Sequence, residues 1–137
     1  MAESAPGFGG VLETALYYEE AAKPQIERFY SEVLGLRAVA GWEDGTAYRV
    51  GAGILLLFDR ERLDQRTEPY SRHGATGAGH ACLEASPGEY EAWKQRLAAR
   101  GVTVDHEASW PGGGRSIYFR DPAGNLIEIA DRDLWPG

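Results

Sequence analysis

The stretch NLIEIAD at residues 125–131 decides the fold, because it repeats the pattern of GILLLFD at residues 53–59. Each stretch is a short apolar run that begins beside a glycine and closes on an aspartate, which is typical of a buried strand. Two matching strands of this kind indicate a duplicated structural unit. The 137-residue chain is therefore predicted to contain one unit twice.

The first half supplies the elements that should precede the first closing strand. VLETALYY at 11–18 has the composition of a strand. Pro24 suits the first position of a helix and Gly35 suits the position after its end, with apolar residues at helical spacing between them. Three short strands are then predicted, at 36–41, 46–50 and 53–58.

The second half restarts the same order with GHACLEA at 79–85, which is predicted to be a strand. Ser86, Pro87 and Glu89 predict a helix that starts with a capping box, and Gly101 predicts its end. Strands are expected at 102–106, 115–119 and 125–130. Both halves therefore have the order βαβββ.

The chain is predicted to divide into two modules with a tail at each end. The segments are a flexible N-terminal tail at 1–10, a first module at 11–59, a polar linker or loop at 60–78, a second module at 79–131 and a C-terminal tail at 132–137. A module of about 60 residues buries little surface and would be only marginally stable alone. We therefore expect the modules to pack on each other or on a second chain.

Composition excludes several classes of partner. The chain has 21 acidic and 14 basic residues, a net charge of −7, and no basic cluster, so nucleic acid is not expected to bind. The longest apolar run, 54–58, is too short to cross a membrane. Cys82 is the only cysteine, which excludes an intrachain disulfide and favours a reduced, cytoplasmic setting.

Superposition of the two halves brings out a set of ionisable residues. Glu13 falls on His80 near the start of the first strand, and Leu56 falls on Glu128 in the last strand. Because side chains alternate along a strand, each ionisable group is expected among apolar neighbours on a half-buried face. Burial of an unpaired charge is costly, and a shared divalent cation would provide a partner for all three groups.

Each of these residues alone also has an ordinary explanation. Glu13 could lie on a solvated face, His80 could be a hydrogen-bonded core histidine, and Glu128 could point outward from an edge strand. The coincidence of three ligand-type residues at repeat-equivalent positions favours the metal site.

Three segments resemble the vicinal oxygen chelate superfamily: FYSEVLGL at 29–36, the Gly-His pair at 79–80, and FRDPAGNLIEI at 119–129. That superfamily includes glyoxalase I, bleomycin- and fosfomycin-resistance proteins, methylmalonyl-CoA epimerase and extradiol dioxygenases. The resemblance covers about residues 11 to 131. It implies an α+β fold in which two tandem βαβββ modules form a curled mixed sheet, a cup around a metal, with helices on the outside.

The resemblance also implies that Glu13, His80 and Glu128 are metal ligands. Leu56 departs from the four-ligand pattern of glyoxalase I, which has an acid or an amide there. Three-ligand members exist, such as the extradiol dioxygenases and the fosfomycin enzymes, but their first ligand is commonly histidine, so Glu13 is a second departure. One imidazole and two carboxylates suit Mn²⁺, Fe²⁺, Mg²⁺, Ni²⁺ or Zn²⁺.

Further residues are expected to act at this site. Either carboxylate ligand, Glu13 or Glu128, could leave the metal and act as the catalytic base. Arg115 follows three glycines and could clamp an anionic substrate. The residues expected to bind substrate are Tyr48, Leu56, His73, Arg115 and Tyr118.

These features favour a metalloenzyme that binds a small molecule with two adjacent oxygens and acts as a lyase, isomerase or group transferase. An extradiol-type dioxygenase and a metal-independent antibiotic-resistance protein that binds a drug remain alternatives. The open edge of each cup predicts a homodimer.

Overall fold

The computed structural model describes residues 5–68, 72–131 and 135. In the first module the strands are β1 (Glu13–Tyr18), β2 (Arg37–Trp42), β3 (Gly45–Val50) and β4 (Gly53–Asp59). Between β1 and β2, a 3-10 turn (Glu20–Ala22), helix α1 (Lys23–Arg28) and a π-helical turn (Phe29–Val33) follow one another without a break. Gly35, with φ of +68°, ends this segment as predicted.

The second module has the same order of elements. Its strands are β5 (His80–Glu84), β6 (His106–Ser109), β7 (Arg115–Arg120) and β8 (Leu126–Ala130). Helix α3 (Tyr90–Ala99) lies between β5 and β6, and a short helix, α2 (Arg60–Asp64), joins the two modules. In the described part of the chain, no helix is both long enough and apolar enough to cross a membrane.

The two modules form two four-stranded mixed sheets with equivalent strand orders, β1-β4-β3-β2 and β5-β8-β7-β6. The first strand of each module is parallel to the last, and the other pairs are antiparallel. The predicted α+β fold of two tandem βαβββ modules is confirmed. The registers also agree, because Glu13 lies opposite Ile54 and His80 lies opposite Leu126, so Leu56 and Glu128 are each two residues further along.

One hydrophobic core is shared by both modules. One face of each sheet packs on it, together with the helices, so that the modules cover each other's apolar surface as expected for units of this size. Phe29, in the helical segment of the first module, lies with its ring centroid 6.1 Å from that of Phe119 in the second. The residues of this core include Leu16, Leu55, Leu57, Leu97, Ile117, Phe119, Ile127 and Ile129.

A buried polar network also joins the modules. The hydroxyl of Tyr30 donates to Asp121 Oδ2 at 2.7 Å. The amide of Asn125 donates to the carbonyl of Tyr17 at 3.1 Å and accepts from the backbone N–H of Gly79 at 2.8 Å. The FYSEVLGL and DPAGN segments are therefore in direct contact, and their role in this chain is to hold the two modules together.

The predicted capping box at the start of α3 is wrong. The helix begins at Tyr90, and Glu89 is its N-cap residue without a side-chain capping bond. Gly88 has φ of +78°, and the N–H of Glu89 donates to the carbonyl of Ser86 in a separate turn. The positive φ at Gly88 interrupts helical geometry, so Ser86 and Pro87 form a turn before the helix.

The strand predicted at 102–106 is also misplaced, because β6 starts only at His106. Val102 and Val104 are partly buried against the shared core. Their alternation with polar residues therefore reflects packing on the core. The hydrogen-bonded pairing with β7 begins only at His106.

The segment predicted as a linker begins with helix α2. The Asp59 carboxylate accepts a hydrogen bond from the N–H of Arg62 and caps the helix. Leu63 is fully buried in a second, smaller apolar cluster. Of the predicted tails, residues 5–10 are exposed and lack regular secondary structure, whereas 1–4, 132–134 and 136–137 lie outside the described residues.

Candidate functional site

Each sheet has a second face, turned away from the shared core, which we call its cup face. In the second module, Cys82, Glu128, Tyr118 and His106 are register partners in a row across β5, β8, β7 and β6. Register partners project from the same face of a sheet. His80 precedes Cys82 by two residues and shares that face, so the strands gather polar and ionisable side chains there.

His80 and Glu128 are in direct contact on this face. His80 Nε2 lies 3.2 Å from Glu128 Oε1, and the two side chains are 47% and 7% exposed. His80 Nδ1 lies 2.9 Å from the carbonyl oxygen of Leu126, which can only accept, so this nitrogen carries a proton and donates it. In the neutral imidazole, Nε2 therefore keeps a lone pair directed at the same space as the carboxylate.

This pair fits two ligands of one divalent ion. Ligand nitrogen and oxygen atoms lie about 2.1 Å from such an ion, so two neighbouring ligands at about a right angle are roughly 3 Å apart. The Nε2–Oε1 distance of 3.2 Å matches that separation. A backbone carbonyl that fixes the other ring nitrogen is the usual support of a metal-binding histidine.

Glu13, the third predicted ligand, lies at the start of β1 and is exposed. Among residues 5–68 and 72–131, no three His, Cys, Asp or Glu side chains are close enough together to hold one ion. The single chain therefore brings together His80 and Glu128 but does not bring Glu13 to them.

The neighbours of Glu128 keep their protons. Burial and the Glu128 carboxylate raise the pKa of the Cys82 thiol to about 12. The same two causes, in the same order, raise the pKa of the Tyr118 hydroxyl. Both groups are therefore neutral hydrogen-bond donors near neutral pH, and Tyr118 lies on the cup face as the register partner of Glu128.

The cup face of the first module is apolar and aromatic. Leu56 lies there, buried, in the position equivalent to Glu128. Two residues further along β4, the Phe58 ring stacks between those of Tyr17 and Trp42, with centroid distances of 6.5 and 6.2 Å. This face provides a nonpolar wall.

His73 lies over this wall, from the segment that follows α2. The Tyr17 hydroxyl is 2.6 Å from His73 Nδ1 and donates to the His73 carbonyl at 2.9 Å. The imidazole stands edge-on to Phe58 at 5.4 Å between centroids. His73, predicted to bind substrate, is thus on the same cup face as Leu56.

The prediction that Tyr48 lines the cup is wrong. Tyr48 pairs with Leu55 and so projects to the opposite face of the sheet, where it is 2% exposed. Its ring lies 5.8 Å from that of Tyr30 in the shared core. The register of the β3–β4 hairpin, which the sequence did not reveal, determines this placement.

The prediction that Arg115 clamps a substrate in the cup is also wrong. Arg115 shares a face of β7 with the core residue Ile117 and points toward α3. Its guanidinium donates to Glu91 at 2.7 Å and lies 4.3 Å from the centroid of the Tyr90 ring. These contacts of Arg115 hold α3 against the sheet.

Sequence reasoning did not assign Tyr17 and Trp42 to the site. Tyr17 could have been found, because it lies four residues after Glu13 on one strand and therefore shares its face. Trp42 could not, because a bulge between Ala38 and Ala40 shifts the register of β2 on β3.

Comparison with known proteins identifies the family. The model of the Glyoxalase/Bleomycin resistance protein/Dioxygenase superfamily matches residues 24–129. The chain belongs to this superfamily, as the resemblance of its three segments predicted.

Individual relatives have the same fold. A crystal structure of lactoylglutathione lyase from Agrobacterium tumefaciens superposes with a TM-score of 0.86 and 37% identity, covering 94% of this chain and 98% of that one. Virulence protein STM3117 of Salmonella typhimurium is 33% identical over 106 residues, which are 75% of this chain and 72% of that protein. Its crystal structure superposes with a TM-score of 0.71, covering 92% of this chain and 98% of that chain.

Proposed function

We propose that this protein is a metal-dependent lyase or isomerase that acts on a small substrate with two adjacent oxygens. The observation that carries the proposal is the contact of His80 Nε2 with Glu128 on the cup face, with the other imidazole nitrogen held by Leu126. The similarity to a lactoylglutathione lyase at 37% identity supports this reaction class.

His80 and Glu128 would hold the ion, which would supply Lewis-acid stabilisation of negative charge on a substrate oxygen. The chain's own groups have separate tasks. Tyr118 and Cys82 flank the carboxylate as neutral donors. The apolar face formed by Leu56 and Phe58 would exclude water from the bound substrate.

We propose further that Glu13 completes the site from a second copy of the chain. In the described part of the chain, β1 and β5 lie at the edges of their sheets. Val11 and Leu12, which lead into β1, are 83% and 72% exposed, so apolar surface surrounds that edge. A homodimer would cover this surface and bring the carboxylate of one copy to the metal pair of the other.

The ligand set favours a redox-neutral reaction over an extradiol-type dioxygenase. The usual iron oxygenase site has two histidines and one carboxylate. The proposed set of His80, Glu128 and Glu13 has the reverse ratio. Cleavage of lactoylglutathione to glutathione and a ketoaldehyde, assayed in both directions, is the first activity to measure.

Drug binding without a metal remains the second candidate, and the stacked rings of Tyr17, Phe58 and Trp42 favour it, since flat aromatic ligands bind to such surfaces. The two functions differ in their need for His80 and Glu128. A drug-binding protein would keep its affinity for aromatic ligands when these residues are replaced.

Metal binding tests the proposal. Protein stripped with chelator would be titrated with Mn²⁺, Ni²⁺ and Zn²⁺ by calorimetry, in the wild type and in His80→Ala and Glu128→Gln. His106→Ala is the matched control, because His106 lies at the far end of the same row. We expect each site variant to lose at least about 100-fold in affinity while the control binds normally. Wild-type binding no tighter than about millimolar, or unchanged binding in both site variants, would refute the metal site.

A further inference from the structure

A second arginine of β7 lies on the cup face of the second module. Arg115 faces α3, but Arg120 is two residues beyond Tyr118 on the same strand and so projects from the cup face. Tyr118 is the register partner of Glu128, which makes Arg120 the diagonal neighbour of Glu128 on the adjacent strand. Diagonal neighbours on one face of a sheet lie about 7–8 Å apart, within reach of a long side chain. Arg120 therefore borders the His80–Glu128 pair.

Arg120 also lies in the same row of register partners as His80. His80 is the register partner of Leu126, and Leu126 is the register partner of Arg120. Neighbouring strands lie about 4.8 Å apart, so two such spacings, about 10 Å, separate the backbones at His80 and Arg120. Leu126 lies between them and is partly buried. A molecule that is bound at the His80–Glu128 pair and extends across Leu126 therefore meets the side chain of Arg120.

The guanidinium of Arg120 has unused hydrogen-bond donors. Its Nη1 donates to the carbonyl of Gly124 at 3.0 Å. A guanidinium carries several N–H donors, so this bond leaves most of them available. Within the described residues, no ion pair joins Arg120 to a carboxylate, whereas Arg115 is paired with Glu91 and Asp131. Arg120 is exposed, so the available donors are open to a ligand.

The turn that holds Arg120 is itself fixed by hydrogen bonds. The N–H groups of Ala123 and Asn125 donate to Asp121 Oδ1 at 2.8 and 2.9 Å. The N–H of Gly124 donates to the carbonyl of Asp121 at 3.0 Å, and the Asp121 side chain is buried. The carbonyl of Gly124 therefore has a defined position. Because the guanidinium is already held there, less conformational entropy is lost when it binds a ligand.

The charges of the proposed site leave that of Arg120 without a counterpart. The charge of a divalent ion would be balanced by the carboxylates of Glu128 and Glu13, while His80 binds as a neutral imidazole. Arg120 then adds a positive charge beside the ion. A guanidinium binds carboxylates and phosphates through paired hydrogen bonds. An anionic group on the substrate is therefore the partner that complements Arg120.

We propose that Arg120 binds an anionic group of the substrate and thereby determines the substrate class of the site. The substrate carries a carboxylate or a phosphate a few bonds away from the two adjacent oxygens that chelate the ion, because Arg120 is a diagonal neighbour of Glu128. This inference rests on the proposed function. Arg120 contributes binding and orientation, and no covalent step is assigned to it.

The test compares two ligands that differ by one carboxylate. L-lactate has a hydroxyl beside a carboxylate and can chelate the ion through both. L-malate is the same molecule with a second carboxylate on its methyl carbon. Both are titrated into manganese-loaded protein at constant ionic strength. Binding is measured from the relaxation rate of water protons, which falls when a ligand displaces manganese-bound water. The variant is Arg120→Met, and the matched control is Arg28→Met, which removes an exposed arginine of α1.

We expect the wild type and Arg28→Met to bind malate at least about 10-fold more tightly than lactate, because a charge-assisted bond contributes this much. Arg120→Met should bind the two ligands about equally, and its unchanged affinities for manganese and lactate would show that the metal site is intact. A wild-type preference within about twofold, or the full preference retained in Arg120→Met, would overturn the proposal. A wild type that does not bind manganese would instead overturn the proposed function, and this proposal with it.

Discussion

Two histidines on the cup faces are held in the same tautomer by different partners. The carbonyl of Leu126 fixes His80, whereas the hydroxyl of Tyr17 fixes His73. In both neutral rings, Nε2 is therefore the nitrogen that carries no proton. His80 has the carboxylate of Glu128 beside it, whereas His73 lies edge-on to the ring of Phe58.

Asn125 joins the two modules through a buried polar network. Its side chain bonds to the backbone of Gly79 and Tyr17 and to the carboxylate of Asp121. Asn125→Ala would remove these three side-chain bonds, although Asp121 would keep its bond from Tyr30, and we expect it to reduce the free energy of unfolding by about 2–4 kcal/mol. Urea denaturation would measure this loss.

The matched control is Gln95→Ala on the exposed face of α3. It should change the free energy of unfolding by less than about 0.5 kcal/mol. Equal stability of Asn125→Ala and this control would show that the buried network does not hold the modules together.

The candidate ligands could be predicted from the sequence because the internal repeat shows which positions of the two modules are equivalent. Counting back from the closing aspartates predicted that Glu128 and Leu56 occupy equivalent positions in the two modules, and the strand registers agree. The prediction for Tyr48 was wrong because the sheet face from which it projects depends on the register of the β3–β4 hairpin. Counting along one strand does not reveal that register. Arg115 could have been excluded, since it is three residues from Tyr118 on one strand and must face the other way.

At the level of elements, helix α2 shows what sequence patterns miss. It is five residues long and mostly charged, so it has no helical periodicity. Its stability comes from tertiary contacts, namely the buried Leu63 and the ion pairs of Arg60 and Arg62 with Glu19 and Glu20. The strands and the longer helical segments were predictable because their apolar residues repeat regularly, whereas their ends were set by register and by glycine conformations.

The ion pair that follows α2 gives a prediction on pH. Arg66 Nε donates to Asp44 Oδ2 at 2.6 Å, and a second bond of 2.8 Å joins the same two groups. The guanidinium holds the pKa of the Asp44 carboxyl below its usual range. Asp44→Asn should lower the free energy of unfolding at pH 7 by about 1–2 kcal/mol, because the bond is bidentate and partly buried.

The sign of the pH dependence follows from the direction of the shift. A carboxyl with a depressed pKa in the folded state contributes its stability above the unfolded pKa of about 4 and loses it as the pH falls further. The difference between wild type and Asp44→Asn should therefore shrink between about pH 5 and pH 2.5 in urea titrations. A difference that stays constant over this range would contradict the role of the ion pair.

At the level of the whole molecule, the fold leaves the proposed metal site incomplete in one chain. His80 and Glu128 belong to the second module, and Glu13 belongs to the first. The shared core and the Asn125 network hold the modules in a fixed relation in which no third ligand joins the pair within the described residues. A dimer is the arrangement that would supply it.

Mixing two inactive variants tests this arrangement. Glu13→Ala and Glu128→Ala should each lose metal binding. A mixed dimer of the two, purified by two different tags, should regain one site per dimer, because the Glu128 of one copy would meet the Glu13 of the other. Mixed dimers that bind no metal would place all ligands within one chain, whereas retained metal binding in the Glu13→Ala homodimer would exclude Glu13 from the site.

The proposed metal site can be tested by locating the bound ion in a crystal. A crystal grown with Mn²⁺ or Zn²⁺ and measured at the absorption edge of that metal would show the ion as an anomalous peak. We expect one peak per chain, within about 2.3 Å of both His80 Nε2 and a Glu128 carboxylate oxygen, with Glu13 of the second copy as the third ligand. A crystal with no peak at this pair, or with the metal bound elsewhere, would contradict it.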